Sequence, residues 1–283
     1  MTRFAAVLVS IVLCGLGVAC DLEPVGPRPS EPMTLVAGDG NSRVYVLDEA
    51  TGTATHLQTA VWQFESFGVF AVGTITSMSW IPSEDAWWIT GGRNSLCSNC
   101  IFTFRPFADS ARLVRREVFE VDTLADFAVH PFSDRVYTLK EGGSGYLFRV
   151  DLSTGEFVEV MRTLDEGLYG KGATFTSDGL LYVAGGDKLT RIRLTRMEER
   201  VIGTLTYIGF PTFANYSVAI AALVTKPSDG TVLALVEDGG GPAATVTATY
   251  LAAVDLETAV VTHLTATSTP LSSLAYMPTR LVH

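Results

Sequence analysis

Two cysteines three residues apart, Cys97 and Cys100 in SLCSNCIF, are the first residues here whose spacing could do chemistry. A CxxC pair can close a small disulfide, supply half of a zinc site, or act as a redox dithiol. Zinc needs two more ligands, and His56, His130, His263 and His283 show no metal spacing. A redox pair works from a helix start, whereas Gly91, Gly92 and Asn94 announce a loop. A structural disulfide between Cys97 and Cys100 is the expectation, with the redox and metal readings beside it.

Carboxylates and aromatics are the other candidates. Asp39, Arg93, Glu141, Asp187, Glu237 and Asp238 fall in or beside glycine-rich turns. Trp62, Phe64, Phe67, Phe70, Tyr169, Tyr207, Phe210, Phe213 and Tyr216 fill the longer connections. Aromatics rimmed by carboxylates stack sugars or hold cationic groups. The same aromatics can instead cover hydrophobic seams, and an acidic residue in a glycine-rich turn is usually just solvated. Glycoside hydrolysis wants two convergent carboxylates; Asp126 is one, and Glu141, Asp187 or Glu237 would have to supply the second. Asp39 with Asn41 is too thin a set for a calcium cluster. The glycine pairs stand in turns and not in a nucleophile elbow, P-loop or dinucleotide-binding context. No metal and no cofactor is expected.

The elements that must position these residues are strands. After residue 34 the chain offers short runs of Val, Ile, Leu, Thr and aromatics, split by Gly, Pro, Asp and Ser, the pattern of an all-β fold. The corners SMSWIPSEDAWW, DFAVHPFSDRVY, GATFTSDGLLYV, ALVTKPSDGTVL and SLAYMPT align on Pro82, Pro131, Thr176, Pro227 and Pro278, at intervals of 49, 45, 51 and 51 residues. Four short strands per unit at that period predict propeller blades. The phrases LDEATGTATHL, VDLSTGEFVEV and VDLETAVVTHL mark outer hairpins, with Asp48 and Asp151 accepting turn hydrogen bonds and Gly52 and Gly155 supplying positive φ. Ala259 and the LTRMEER segment lack that glycine and are expected to close differently.

The final unit has only a first strand and the opening unit only the later three. The expected fold is therefore a five-bladed β-propeller with one blade built from both chain ends: 34–58 with 271–278, then 75–121, 124–162, 170–206 and 217–265. Such closure hides the edges that an open ring would expose. Counting back five from each corner puts Ser77, Asp126, Lys171, Ala222 and Ser273 on the inner strands, and Asp126 with Lys171 is expected to form a channel ion pair.

The strand-Asp-x-x-Thr-Gly-strand phrase and the Pro-x-Asp corner before RVY or LLY resemble the YVTN-type and quinoprotein-like propeller repeats of exported bacterial proteins, over residues 34 to 278. Glu156 and Thr53 stand where quinone-binding repeats carry tryptophan, so the resemblance does not extend to pyrroloquinoline quinone.

The N-terminus gives an address. Arg3 precedes an apolar run from Phe4 to Ala19, 16 residues, short of the roughly 20 that span a bilayer. Residues 1–19 read as a signal peptide. Leu16, Gly17, Val18, Ala19 and Cys20 resemble the lipobox of bacterial lipoproteins, which implies lipidation of Cys20; an ordinary cut after Ala19 is the alternative. Asp21 resembles an inner-membrane retention signal, so the expected place is the periplasmic side of the inner membrane, or else the outer membrane. Pro24, Pro27, Pro29 and Pro32 make residues 20–33 an extended tether, on the order of 40 Å at about 3.1 Å per residue.

The formal charge of −10 argues against nucleic acid or anionic headgroups as partners. The expected function is a lipid-anchored binding or scaffold module for an envelope protein, peptide or glycan. The loop face carries the candidate contacts Asp39, Arg93, Glu141, Asp187, Glu237, Asp238, Trp62, Tyr169, Phe210 and Tyr216. A five-bladed glycoside hydrolase is the alternative.

Overall fold

The computed structural model of the protein describes residues 31–64, 68–91, 100–115, 126–139, 145–162, 170–211, 218–238 and 248–282. The protein is an all-β, five-bladed propeller. Blade 1 runs outward from Ser273–Pro278 through Met33–Gly38 and Arg43–Leu47 to Ala54–Thr59. Blade 2 comprises Ile75–Ile81, Ala86–Gly91, Cys100–Phe104 and Arg112–Arg115. Blade 3 comprises Ala128–Val129, Val136–Leu139, Tyr146–Val150 and Phe157–Arg162. Gly170–Phe175, Leu181–Gly185, Lys188–Arg193 and Glu198–Thr204 form blade 4. Blade 5 holds Val218–Thr225, Val232–Asp238, Ala248–Val254 and Val260–Ala266. It also gains a fifth strand, Thr206–Ile208, parallel to its outermost one.

Burial explains the strand sequences. A second strand has a blade packed on each side, so AWWITG and VLALVED are buried at every position, as continuous apolar runs should be. Outermost strands such as ATHLQT and FVEVMR meet solvent and are mostly polar or half-buried. The core lies in the seams between blades. Trp80, Trp87, Phe102 and Phe104 of blade 2 pack with Val36, Ala275 and Met277 of blade 1, and Trp87 stacks on Phe104 at 5.9 Å.

The chain ends close the ring as the half-units require. Thr34 pairs with Met277, Val36 with Ala275 and Gly38 with Ser273. The Thr279 amide donates to the Pro32 carbonyl at 2.8 Å, and Arg280 reaches Glu31 at 2.7 Å and Asp85 at 3.3 Å. On the joint between blades 5 and 1, Glu49 accepts from Lys226 Nζ at 2.6 Å and from the Tyr276 hydroxyl at 2.7 Å. That carboxylate raises the Lys226 pKa. Burial first, and Glu49 second, raise that of Tyr276.

The outer hairpins share one frame. Gly52, Gly155 and Ala259 each donate to the carbonyl of the aspartate four residues earlier, at 2.9, 2.7 and 2.9 Å. The side chains of Asp48, Asp151 and Asp255 accept from the amides that follow, which holds the three carboxyls below their usual range. Ala259 corrects an expectation: it closes the same turn without glycine, at φ 58°. Met197, φ 48°, does close another way, after the 3-10 turn Leu194–Arg196.

Two outcomes follow from the closure. Removal of residues 271–283 strips blade 1 of its innermost strand and should unfold or aggregate the whole domain; a truncated monomer with an unchanged melting curve would contradict this. A Cβ on Gly52, φ 69°, would lie 2.0 Å from the Ala266 carbonyl oxygen of blade 5, whereas Gly230, φ 77°, has nothing within 4 Å. Gly230→Ala should cost about 1–2 kcal/mol for the left-handed backbone alone. Gly52→Ala should cost clearly more in urea denaturation.

Candidate functional site

Two regions gather the candidate side chains, the ring axis and the loop face. Asp126 stands just before the inner strand of blade 3. Its Oδ1 accepts from Ser77 Oγ of blade 2 at 3.0 Å, and its Oδ2 accepts from the Leu223 amide of blade 5 at 3.2 Å. The Phe127 and Ala173 amides also bond to the carboxyl. One side chain thus ties its own blade to three others. Asp126 is 1% exposed and Ser77, Ala222 and Ser273 are fully buried around it, so at this level the axis is filled by protein. Burial pushes the Asp126 carboxyl well above the usual range, and the hydrogen bonds offset part of that rise. Lys171 lies on the inner strand of blade 4; its side chain, and with it the expected ion pair, is outside the described residues.

On the loop face, Asp39 is spent on its own turn. It is buried, with Oδ1 accepting from the Asn41 and Arg43 amides at 2.8 and 2.9 Å. Oδ2 accepts from Arg43 Nε at 2.8 Å and the Tyr45 hydroxyl at 3.0 Å. Glu237 and Asp238 end the second strand of blade 5 and are buried between its first and third strands. Asp187 is exposed in a two-residue turn whose backbone carbonyl accepts from the Leu205 amide at 2.6 Å. Burial first, and the Asp187 charge second, push the Tyr207 phenol up to about 12.

Of the loop-face aromatics Trp62, Tyr169, Phe210 and Tyr216, the two described, Trp62 and Phe210, both sit in seams. Trp62 is buried against Phe102 at 5.6 Å and Phe70 at 6.4 Å, on a hairpin formed by Val61–Phe64 and Gly68–Ala71 between blades 1 and 2. Phe210 meets Tyr207, Tyr250 and His263 edge-on at 5.8, 5.7 and 5.1 Å, against the core between blades 4 and 5. Arg93, Glu141, Tyr169 and Tyr216 are outside the described residues, as are Cys20 and Cys97. Cys100 is buried opposite Gly91 and is disulfide-bonded.

Sequence reasoning missed Ser42 and His263. Ser42, φ 65° and buried, donates its hydroxyl to the Gly73 carbonyl and accepts from the Gly73 amide, both at 2.8 Å. It pins the base of the hairpin to blade 1. No local pattern announces a 31-residue contact, although strand alternation from buried Val261 would have put His263 on the seam face.

No protein-family model matches the chain, and no curated protein sequence matches it. Solved structures do. A chain of a nidogen/laminin complex superposes with a TM-score of 0.51 at 10% identity, over 87% of this chain and 98% of that one. A Lactobacillus plantarum protein gives 0.48 at 11% identity, over 87% and 99%. An auxiliary nutrient binding protein from Bacteroides thetaiotaomicron gives 0.46 at 12% identity, over 82% of this chain and 48% of that one, about half its length. At such identities the nidogen/laminin match speaks for the propeller fold alone.

Asp126→Ala strips the acceptor from the Leu223 and Ala173 amides and should cost roughly 3 kcal/mol or more, since each buried orphan costs about 1–3 kcal/mol. Asp126→Asn keeps one acceptor and should cost less. Folding raises the Asp126 pKa, so the folded protein holds a proton that the unfolded chain releases near pH 4. The site's contribution is therefore largest in acid and falls as pH climbs through the raised value. Urea denaturation across that window should show a pH slope in the wild type that Asp126→Asn flattens.

Proposed function

We propose that the protein is an exported, lipid-anchored propeller of the cell envelope that presents a rigid loop face to a protein, peptide or glycan. Support for the anchor comes from the short apolar leader ending in Cys20 and from the proline-rich tether that follows it. The propeller is of the YVTN and quinoprotein-like repeat type, and Cys97 is the disulfide partner of Cys100.

The observation that carries the binding reading is how the frame spends its side chains. Asp126 fills the axis, Asp39 ties its own turn, and Trp62 and Phe210 seal seams. Charge and aromaticity of this kind make a stiff ring, and on a stiff ring the ends of the second and third strands are held at fixed spacing around one face. Asp187 is the described loop-face carboxylate that points into solvent. The match to a chain of a nidogen/laminin complex is in keeping with a propeller used as a contact surface, by fold analogy.

Two measurements test this. A fatty-acid probe fed to cells should label the wild type and not Cys20→Ser; equal labelling of both would remove the anchor. Purified full-length protein in detergent should bind a subset of an array of envelope glycans and peptides, and Asp187→Lys on the loop face should weaken that binding several-fold while Glu257→Lys, in an outer hairpin, leaves it unchanged. Equal behaviour of the two variants would move the binding surface elsewhere, and release of product from a glycan would replace binding with hydrolysis.

A further inference from the structure

The outermost edge of a blade in this fold takes an extra strand. On blade 5, Thr206 pairs with Val260, Tyr207 with Val261 and Ile208 with Thr262, all parallel. On blade 2 the linker begins the same addition through a parallel bridge between Trp62 and Ala111, with the Ala111 amide donating to the Val61 carbonyl at 2.6 Å. Blade 4 has the equivalent edge. Glu198–Thr204 is the outermost of its four strands, and no described strand pairs with its outer side. Aligned on the bulge that both outermost strands contain, Glu198–Arg200 stands where Val260–Thr262 stands in blade 5.

Its chemistry differs from the rest of an acidic chain. Arg191, Arg193, Arg196 and Arg200 crowd the last two strands of blade 4 and the turn between them. Arg191 and Arg200 are direct cross-strand partners, a like-charge juxtaposition that a sheet disfavours. Arg193 has Glu198 at 3.6 Å, but no described carboxylate lies within salt-bridge reach of Arg191 or Arg200. Beside them Val201 is 44% exposed and Met197 56%.

We propose that this edge docks an extended acidic segment of a partner protein as a parallel fifth strand, with a carboxylate opposite Arg200, on the face that Arg191 shares one strand further in, and an apolar side chain over Val201. Strand addition supplies main-chain bonds to an edge that no described strand pairs, and carboxylates match the planar guanidinium fork. Neighbouring residues of the added strand point to opposite faces, so acidic and apolar side chains alternate in the docked segment. A polyanion without a peptide backbone would neutralise the arginines yet leave the edge and Val201 uncovered. The site lies on the rim and does not depend on the loop-face reading.

The probe is a fluorescent peptide, Thr-Val-Glu-Val-Glu-Val-Thr, titrated with full-length protein at low salt and followed by anisotropy. It should bind saturably, weaken with added salt, and lose at least about tenfold in affinity with Arg191→Ala plus Arg200→Ala. The same peptide with Lys for Glu should not bind, nor should an acidic version N-methylated at alternate residues, which keeps its charge and loses its donors. The double variant should melt no lower than wild type, because a like-charge pair has been removed; Val201→Lys, which leaves both arginines in place, is the second variant and should also weaken binding. Equal binding of the N-methylated peptide, equal binding by the double variant, or binding of heparin fragments with none of the peptide would each overturn the proposal.

Discussion

A carboxyl group taken out of water is costly unless it is hydrogen-bonded, and the ring is organised around one that is. Blade 3 has an inner strand of only two residues, Ala128–Val129, where the other blades have six to eight. The ladder it lacks is replaced by side chains. Asp126 takes the Leu223 and Ala173 amides and the Ser77 hydroxyl. Ser77 accepts from the Phe127 amide at 2.7 Å, and Ser79 donates to the Phe127 carbonyl. The shortest strand is thereby fixed to blades 2, 4 and 5, and the axis closes on protein. The proton that burial favours on Asp126 lowers the cost of keeping it there.

Outward from the axis, stability passes to the seams. Each blade must cover two faces, and twist opens a wedge between neighbours that widens with radius. Trp62 and Phe210 fill two such wedges, each delivered by the linker that enters the next blade. Those linkers also lie along the outermost strand of that blade, so one segment covers a hydrophobic wedge and an open edge together. The arginine-bearing edge of blade 4 is the contrasting case, with exposed Val201 and two guanidiniums, Arg191 and Arg200, where no described strand adds to the sheet.

The seam inside blade 1, between Met33–Gly38 and Ser273–Pro278, carries the topological burden, because there the two chain ends are held by strand pairing and no connecting segment joins them directly. Six residue pairs between Met33–Gly38 and Ser273–Pro278 supply the ladder. The surface ion pairs at Arg280 add little, since exposed pairs are worth about 0–1 kcal/mol. Glu49 is better placed, because it joins the half-exposed Lys226 of blade 5 to the buried Tyr276 of blade 1. Gly52 lets the backbones of the two blades touch where any side chain would collide with Ala266.

What the sequence alone determined is what repeats locally. The intervals between Pro82, Pro131, Thr176, Pro227 and Pro278 set the blade count, and the half-units at the two ends set the closure. Asp48 and Asp151 mark hairpins because the bonds that make those turns span four residues. Tertiary structure decided what depends on partners far along the chain. Asp126 was legible as an inner-strand carboxylate, but its bond to Leu223 crosses 97 residues and no spacing encodes it. Asp39 and Asp187 look alike as acidic residues after glycine; packing buries the first among Arg43 and Tyr45 and leaves the second in water. Trp62 and Phe210 were legible as aromatics in linkers and not as seam fillers, because a wedge between blades exists only once the blades are side by side. Ala259 holds a glycine's conformation for the same reason: its buried place beside Val261 and Gly203 over-determines a backbone that its residue type alone disfavours.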